Sequence, residues 1–183
     1  MVYVLVRIVS VNDSNKTMKY WLVVDTLRVP DAMDVLKSHC SVEQAFALYA
    51  GSALDYALDK SPMVVDLGSH REASLSCLLL PGFATSAVVF DVTESVSAQK
   101  WRSHLQSISL VEIDRQPMMV RFYTDAFWEA YAQGLNDSDK RVLLGDASAV
   151  NWLSSNQRLQ TLSRPEGENA TPPYALTSSI FKH

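Results

Sequence analysis

Three side chains capable of chemistry stand close together where a β-like run meets an aromatic helix. Arg121, Tyr123 and Asp125 supply a cation, a phenolic hydroxyl and a carboxylate. In a strand, Arg121 and Tyr123 would lie on one face, because side chains alternate between the two faces. A buried arginine needs an acceptor, and Asp91, Asp114 or Asp125 could provide it. The pattern predicts a structural ion pair first, partner binding second and catalysis third.

Candidate nucleophiles are present, but none has the sequence context of a hydrolytic site. The strand–GxSxG–helix turn of serine hydrolases is absent. Ser69 precedes Glu72 by three residues, which predicts a capping box at a helix start. Cys40 follows His39 directly, and adjacent side chains on a helix point about 100° apart. A small hydrolase using Cys40 or Ser52 stays an alternative that requires a histidine within hydrogen-bond reach.

The sequence predicts neither a metal ion nor a nucleotide cofactor. Its four histidines, His39, His70, His104 and His183, are scattered, and no HxxxH or CxxC spacing occurs. A P-loop and a GxGxxG turn are also absent. The acidic pairs Asp55/Asp59 and Asp137/Asp139 are predicted to be solvated surface groups.

Composition and charge exclude several classes of protein. Of the 183 residues, 48% are hydrophobic and 20% charged, which is typical of a globular domain with its own core. The net charge of -4, without basic runs, argues against nucleic-acid binding, and no apolar stretch is long enough for membrane insertion. The start, MVYVLVRIVSV, predicts a strand rather than a signal peptide. Cys40 and Cys77 need not form a disulfide in a chain of this size, which favours the reducing cytoplasm.

Alternating strand and helix patterns predict an α/β (α+β) fold in which helices pack on a mixed β-sheet. Residues 2–11 and 18–25 predict an N-terminal β-hairpin at a sheet edge. Thr93 is expected to cap a helix whose buried face carries Trp101, Leu105 and Ile108.

Two further strands are predicted over 110–114 and 118–123, joined by a turn at 115–117, and Thr124 or Asp125 is expected to cap the next helix.

The chain is predicted to form one domain over residues 1–163, either as a single body or with two small lobes. Residues 164–183 form a predicted extended tail, because this segment is polar, contains three prolines and lacks a core of its own. Its last apolar residues, Ile180 and Phe181, could still dock on the domain.

Five short segments, spread over residues 20–153, resemble motifs of the type VI secretion effector-chaperone family. In chain order they are YWLVVD (20–25) for the family's YLLVD strand, LYAGS (48–52) for LYxGT, SPMVV (61–65) for GPxLV, RFY (121–123) for RFYD, and LLG (143–145) with Trp152 for LFGP…W. Thr124 replaces the aspartate that usually follows RFY, and Ser61 stands where glycine is common. These departures bear on the identity of the partner.

The resemblance implies an adaptor or chaperone without enzymatic activity. Such proteins bind a toxic effector, usually encoded beside them, and help load it onto the spike protein of the type VI apparatus in the cytoplasm of the producing cell. The expected partners are therefore a cognate effector and a spike protein, with no cofactor, no nucleic acid and no membrane insertion. An immunity protein that neutralises a toxin is a further alternative.

Partner contacts are predicted at the edge of the N-terminal hairpin, at the aromatic junction and at the apolar end of the tail. The predicted partner-binding residues are Tyr3, Tyr20, Arg121, Tyr123, Tyr174, Leu176, Ile180 and Phe181. An open strand edge can accept an added strand, and a docked tail can gate a groove.

Overall fold

The computed structural model describes residues 16–182, and it confirms the predicted α+β fold. The strands are β1 (Met18–Val24), β2 (Gln44–Ala47), β3 (Met63–Asp66), β4 (Ala87–Thr93), β5 (Leu110–Ile113), β6 (Gln116–Met119), β7 (Ala147–Leu153), β8 (Leu159–Ser163) and β9 (Ala175–Leu176). The α-helices are α1 (Ala32–His39), α2 (Arg71–Ser76), α3 (Ala98–Ser109), α4 (Asp125–Tyr131) and α5 (Asp137–Leu144). Short 3-10 helices cover Asp55–Lys60, Cys77–Leu79, Ala132–Gly134 and Ser179–Phe181.

Two sheets organise these elements. The large sheet has the order β2-β3-β1-β4-β7-β8 and is antiparallel throughout, whereas the small sheet has the order β6-β5-β9 and pairs β5 with β9 in parallel. The predicted position of residues 18–25 at a sheet edge is wrong, because β3 and β4 flank β1 on its two sides. The other arm of the predicted hairpin, residues 2–11, lies outside the described residues.

The large sheet separates two hydrophobic cores. Side chains of β1 alternate between them, with Trp21 and Val23 in the first core and Leu22 and Val24 in the second. Helices α3, α4 and α5 and the small sheet cover the first core, and α1 and α2 cover the second. The predicted buried face of α3 is confirmed, since its three apolar side chains, Trp101, Leu105 and Ile108, are fully buried.

The helices are short. The longest α-helix in the described part of the chain, α3, has 12 residues, which corresponds to about 18 Å at a rise of about 1.5 Å per residue. Between residues 16 and 182, no helix combines the length and the apolar character that crossing a membrane requires.

Two predicted helix caps are wrong. Helix α2 begins at Arg71 after His70, without a side-chain cap, because the preceding turn is held by Asp66, whose Oδ1 accepts a hydrogen bond from Gly68 N–H. Ser69 is therefore exposed rather than capping. Helix α3 is capped by Ser97, because Thr93 is the last residue of β4 and pairs with Met18 of β1.

The hairpin of the small sheet is tighter than predicted. Asp114 and Arg115 both have positive φ angles and form a two-residue turn, so that Gln116 already belongs to β6. The strand then ends at Met119, and the Arg121-Phe122-Tyr123 segment turns away from the sheet. This early ending allows residues 120–124 to reach the end of β1.

His104 on α3 is buried against aromatic neighbours in the first core. Its Nε2–H donates to the Leu143 carbonyl at 3.3 Å, and its Nδ1 lies 3.4 Å from the Tyr174 hydroxyl. The ring stacks on Trp101, and a side chain at Gly145, whose φ is +55°, would collide with it. Burial lowers the pKa of His104 from 6.5 to about 4, while the hydrogen bond to Leu143 opposes that shift.

We expect this histidine to make the protein less stable as the pH falls. Between about pH 6.5 and about pH 4 the unfolded chain binds a proton that the native His104 does not bind, so the free energy of unfolding decreases by up to about 3 kcal/mol. Urea unfolding at roughly neutral pH and near the lower end of that window measures the change. His104→Gln keeps a donor for Leu143 and serves as the matched control. An equal loss in both proteins would contradict the assignment.

Candidate partner-binding site

Arg121 forms its ion pair with Asp25 and not with any of the three predicted partners, Asp91, Asp114 and Asp125. Its Nη2 donates to Asp25 Oδ2 at 2.6 Å. The Asp25 side chain is only 4% exposed, whereas the Arg121 side chain is 49% exposed. The pair therefore joins a buried carboxylate at the end of β1 to a guanidinium that still faces solvent.

Asp25 is held rigidly by the turn that follows β1. Its Oδ1 accepts from Leu27 N–H at 3.0 Å, and its backbone carbonyl accepts from the N–H groups of Arg28 and Val29. Arg28 Nε lies 3.8 Å from Asp25 Oδ2 and adds a weaker ionic contact. One carboxylate thus closes the turn with one oxygen and binds Arg121 with the other.

Tyr123 and Tyr49 meet beside this ion pair. Their hydroxyl oxygens are 3.3 Å apart, and both side chains are almost completely buried. Burial, together with the hydrogen bond to Tyr123, raises the pKa of Tyr49, which keeps the hydroxyl protonated. Tyr49 N–H donates to Ser61 Oγ at 2.9 Å, and the Arg121 guanidinium lies 5.9 Å from the centre of the Tyr123 ring.

Four of the five motif-like segments therefore converge on one place. We call the group formed by Asp25, Tyr49, Ser61, Arg121 and Tyr123 the motif cluster. The residues of the ion pair are 96 positions apart in the chain, and the two tyrosines are 74 apart.

The fifth segment braces the aromatic helix behind the motif cluster. Trp128 is fully buried, and its Nε1–H donates to the Phe122 carbonyl at 2.6 Å. Trp152 stacks on Trp128 with ring centres 5.9 Å apart and donates its own Nε1–H to Glu129. The predicted cap of α4 is confirmed, since Thr124 Oγ1 accepts from a backbone N–H of the first turn. The Arg121-Phe122-Tyr123 segment is thus held on its buried side by the hydrogen bond from Trp128 to Phe122.

The surface next to the motif cluster is apolar and cationic. Leu27 is 60% exposed and Leu58 is 46% exposed, and each contacts a cluster residue through its backbone. Thr26 Oγ1 donates to the Ser61 carbonyl and ties the two loops together. We call the exposed side chains of Leu27, Arg28 and Leu58 the rim. Arginine is enriched at protein interfaces, and the fully buried centre of an interface is more apolar than the rest of the protein surface.

Comparison with known protein families gives one match. The profile of the domain of unknown function DUF4123 matches residues 20–142, which is more than half of the chain. The chain belongs to the DUF4123 family. No curated protein and no solved structure matches it significantly. The matched region of this DUF4123 protein contains the whole motif cluster.

The structure places the predicted partner-binding residues of the DUF4123 protein in three different environments. Four are core side chains: Tyr20, Tyr123, Tyr174 and Leu176. Three keep part of their surface accessible: Arg121, Ile180 and Phe181. Tyr3 lies outside the described residues. Of the described residues in this set, only Arg121, Ile180 and Phe181 present surface to a partner in this conformation. The four core side chains would first have to be uncovered.

The candidate nucleophiles have structural surroundings. Cys40 and Cys77 are joined in a disulfide, although the sequence favoured reduced cysteines. Cys40 lies at the end of α1 and Cys77 at the end of α2, and both pack in the second core. Ser52 Oγ donates to the Tyr49 carbonyl and accepts from Leu54 N–H. Nδ1 of His39 lies 2.9 Å from a backbone carbonyl of its own helix.

Of the four acidic residues that were predicted to be solvated, one is buried. Asp55 accepts a hydrogen bond from Gly51 N–H at the surface, whereas Asp139 is fully buried under the tail. Among residues 16–182, no group of three or more histidine, cysteine or acidic side chains is placed to hold a metal ion.

Three members of the motif cluster, Asp25, Tyr49 and Ser61, were not among the predicted partner-binding residues, and of these Asp25 is the one that pairs with Arg121. It ends the YWLVVD segment, and Arg121 begins the RFY segment, so both belong to motif-like stretches. That shared property was the available signal. The pairing itself depends on a contact between the end of β1 and the segment after β6, which requires knowledge of the topology.

We expect an asymmetric effect when the Asp25–Arg121 pair is broken. Arg121→Met leaves a buried carboxylate without its closest partner and should lower the free energy of unfolding by about 1–3 kcal/mol. Asp25→Asn should cost less, because the half-exposed Arg121 regains water and the asparagine can still accept from Leu27. In denaturant unfolding, the double variant should lose less stability than the sum of the single variants. Strict additivity would show that the pair contributes nothing.

Proposed function

We propose that this DUF4123 protein is a type VI secretion adaptor that binds a cognate toxic effector and helps load it onto the spike protein. The observation that carries the proposal is the convergence of the family-like segments on the motif cluster. Segments that are far apart in the chain meet through hydrogen bonds at 2.6–3.3 Å. Their resemblance to an effector-chaperone family supplies the biological setting.

The geometry of the motif cluster suits a surface that holds another polypeptide. Buried and partly buried hydrogen bonds fix the cluster. They hold both rim loops, the one that follows Asp25 and the one that precedes Ser61, before a partner arrives. Such preorganisation reduces the entropy that is lost on binding. Leu27 and Leu58 offer apolar area, and the half-exposed guanidinium of Arg121 offers charge and hydrogen-bond donors.

Co-purification from the native host tests this proposal. The tagged chain is isolated from its native host under conditions in which the type VI apparatus is expressed, and the proteins bound to it are identified by mass spectrometry. We expect a stable complex with the effector and recruitment of the spike protein. Absence of both from the purified material would contradict the proposal.

Deletion of the gene separates adaptor function from the immunity alternative. Loss of effector secretion without harm to the producing cell is expected for an adaptor. Self-poisoning of the producing cell, with secretion unchanged, would instead indicate immunity. The hydrolase alternative needs a histidine beside Cys40 or Ser52, and the disulfide and the backbone hydrogen bonds of Ser52 occupy these groups.

A further inference from the structure

The end of the tail is bound to the domain in the manner of a peptide ligand. After β8 the chain passes through an exposed stretch, residues 166–173, before it returns to the domain. Strand β9 then adds in parallel to the edge of β5, and Glu112 N–H donates to the Tyr174 carbonyl at 2.8 Å. This is the geometry of strand addition, in which backbone hydrogen bonds give affinity and alternate side chains give specificity.

Burial alternates along the docked segment. Tyr174, Leu176 and Ser178 are buried, whereas Ala175 and Thr177 between them are exposed. This period of two is that of an extended strand that presents every second side chain to its binding surface. The buried positions of the segment therefore carry an aromatic, an aliphatic and a hydroxyl side chain, in that order.

Asp139 recognises the backbone of this segment. Its carboxylate is fully buried and accepts from the N–H groups of Thr177 and Ser178, at 2.9 Å and 2.7 Å, and from both hydroxyls. Within the described residues, every hydrogen bond to this carboxylate comes from the tail. A buried carboxylate is costly unless donors compensate it, so this position requires a ligand that offers several donors.

Apolar contacts complete the site on both sides of Asp139. The Tyr174 ring lies 5.9 Å from His104, and Phe181 lies 4.9 Å from Tyr131. Ile180 covers Gly134 so closely that a Cβ at Gly134 would clash with it. A groove of about 260 Å³, lined in part by Ile113 and Met118, continues beside Phe181.

We propose that this tail groove, formed by the β5 edge, His104, Tyr131, Gly134 and Asp139, is a peptide-binding site that the chain's own tail occupies in the free protein. The inference rests on the proposed adaptor function for the identity of the competing ligand. That ligand is an extended effector segment with an aromatic and an aliphatic residue two positions apart, followed by serine or threonine. Release of the tail opens the groove, and the effector segment repeats its contacts.

Exchange of the tail for a free peptide tests the groove without any effector. A protease recognition sequence is inserted after Glu168, in the exposed stretch, and the purified full chain is cleaved there. A fluorescent peptide with the sequence of residues 172–182 is then added, and binding is followed by anisotropy. We expect the peptide to exchange into the cleaved chain and to bind the uncleaved chain at least about tenfold more weakly, because the tethered tail competes at high effective concentration.

Two variant peptides give a matched comparison. Leu176→Asp places a charge in a buried position and should weaken binding at least about tenfold, whereas Ala175→Asp places it at an exposed position and should leave binding within about twofold. Equal behaviour of the two peptides, failure of the peptide to exchange, or collapse of the fold after cleavage would each overturn the proposal.

Hydrogen exchange on the unmodified chain provides a second measurement. If the tail detaches while the domain stays folded, the Thr177 and Ser178 amides should exchange at least about 100-fold faster than the central amides of β4. Exchange at the same rate would show that the tail opens only when the whole domain unfolds, which overturns the proposal.

The two proposals fail separately. An effector that co-purifies but does not displace the labelled peptide from the cleaved chain would remove the effector as the ligand of the tail groove while leaving adaptor function intact. Peptide exchange without any effector complex would remove the adaptor function while leaving the tail groove as a peptide-binding site.

Discussion

Replacing Trp128 with alanine is expected to lower the free energy of unfolding by about 3–5 kcal/mol. The side chain is fully buried between Phe90 and Trp152, with ring centres 6.5 Å and 5.9 Å away. Its removal leaves a large cavity in the first core and frees the Phe122 carbonyl, which now accepts the indole N–H at 2.6 Å. The lost packing and the lost hydrogen bond act together, so this variant should be among the least stable single substitutions.

Two variants serve as controls for the Trp128 prediction. Trp128→Phe keeps much of the packing but loses the donor to Phe122, so its effect should be intermediate. Tyr56→Ala removes a side chain that is 83% exposed and should change stability by no more than about 0.5 kcal/mol. Thermal and denaturant unfolding measure all three. A loss of less than about 1 kcal/mol for Trp128→Ala would contradict the view that this helix braces the motif cluster.

Reduction of the Cys40–Cys77 disulfide is expected to have the second largest effect. The two cysteines are 37 residues apart in the chain, and the chain-entropy relation gives a stabilisation of about 4 kcal/mol for a closed loop of this length. Titration of thiols in denatured, unreduced protein should detect none, and a reductant should lower the denaturation midpoint. The same comparison in cell extracts reports the redox state under working conditions.

Cys40→Ser is the matched variant for the disulfide. It removes one sulfur from the end of α1 and leaves the buried Cys77 in place. Its stability should equal that of the reduced protein and should not respond to reductant. Two free thiols per chain before reduction, or equal stability with and without reductant, would contradict the structure at this position.

The sequence predicted best those elements whose signals are local. The buried face of α3 was predicted because Trp101, Leu105 and Ile108 recur at helical spacing, and the start of α4 because Thr124 can cap its first turn. The caps at Ser69 and Thr93 failed because neighbouring hydrogen bonds and strand pairing took precedence over a local motif. Local patterns cannot show which of two competing partners a backbone group will choose.

The candidate site depends on contacts between distant parts of the chain, and these were only partly predictable. An ion pair for Arg121 was expected from its chemistry, but the choice of Asp25 follows from a topology that brings together residues 96 positions apart. The docked tail was open to either outcome, because its polar composition is that of a disordered segment. Asp139, which holds Thr177 and Ser178, carried no signal that distinguishes it from a surface acid.

A calorimetric titration of the purified effector into rim variants tests the central claim most directly, namely that the motif cluster supports a protein-binding surface. The double variant Leu27→Asp/Leu58→Asp alters the rim, and Leu79→Asp changes a comparably exposed leucine in the 3-10 helix that follows α2. We predict effector binding by the wild-type chain and by Leu79→Asp, with at least about tenfold weaker binding by the rim variant. Equal affinity of all three proteins, with the fold intact, would contradict the claim.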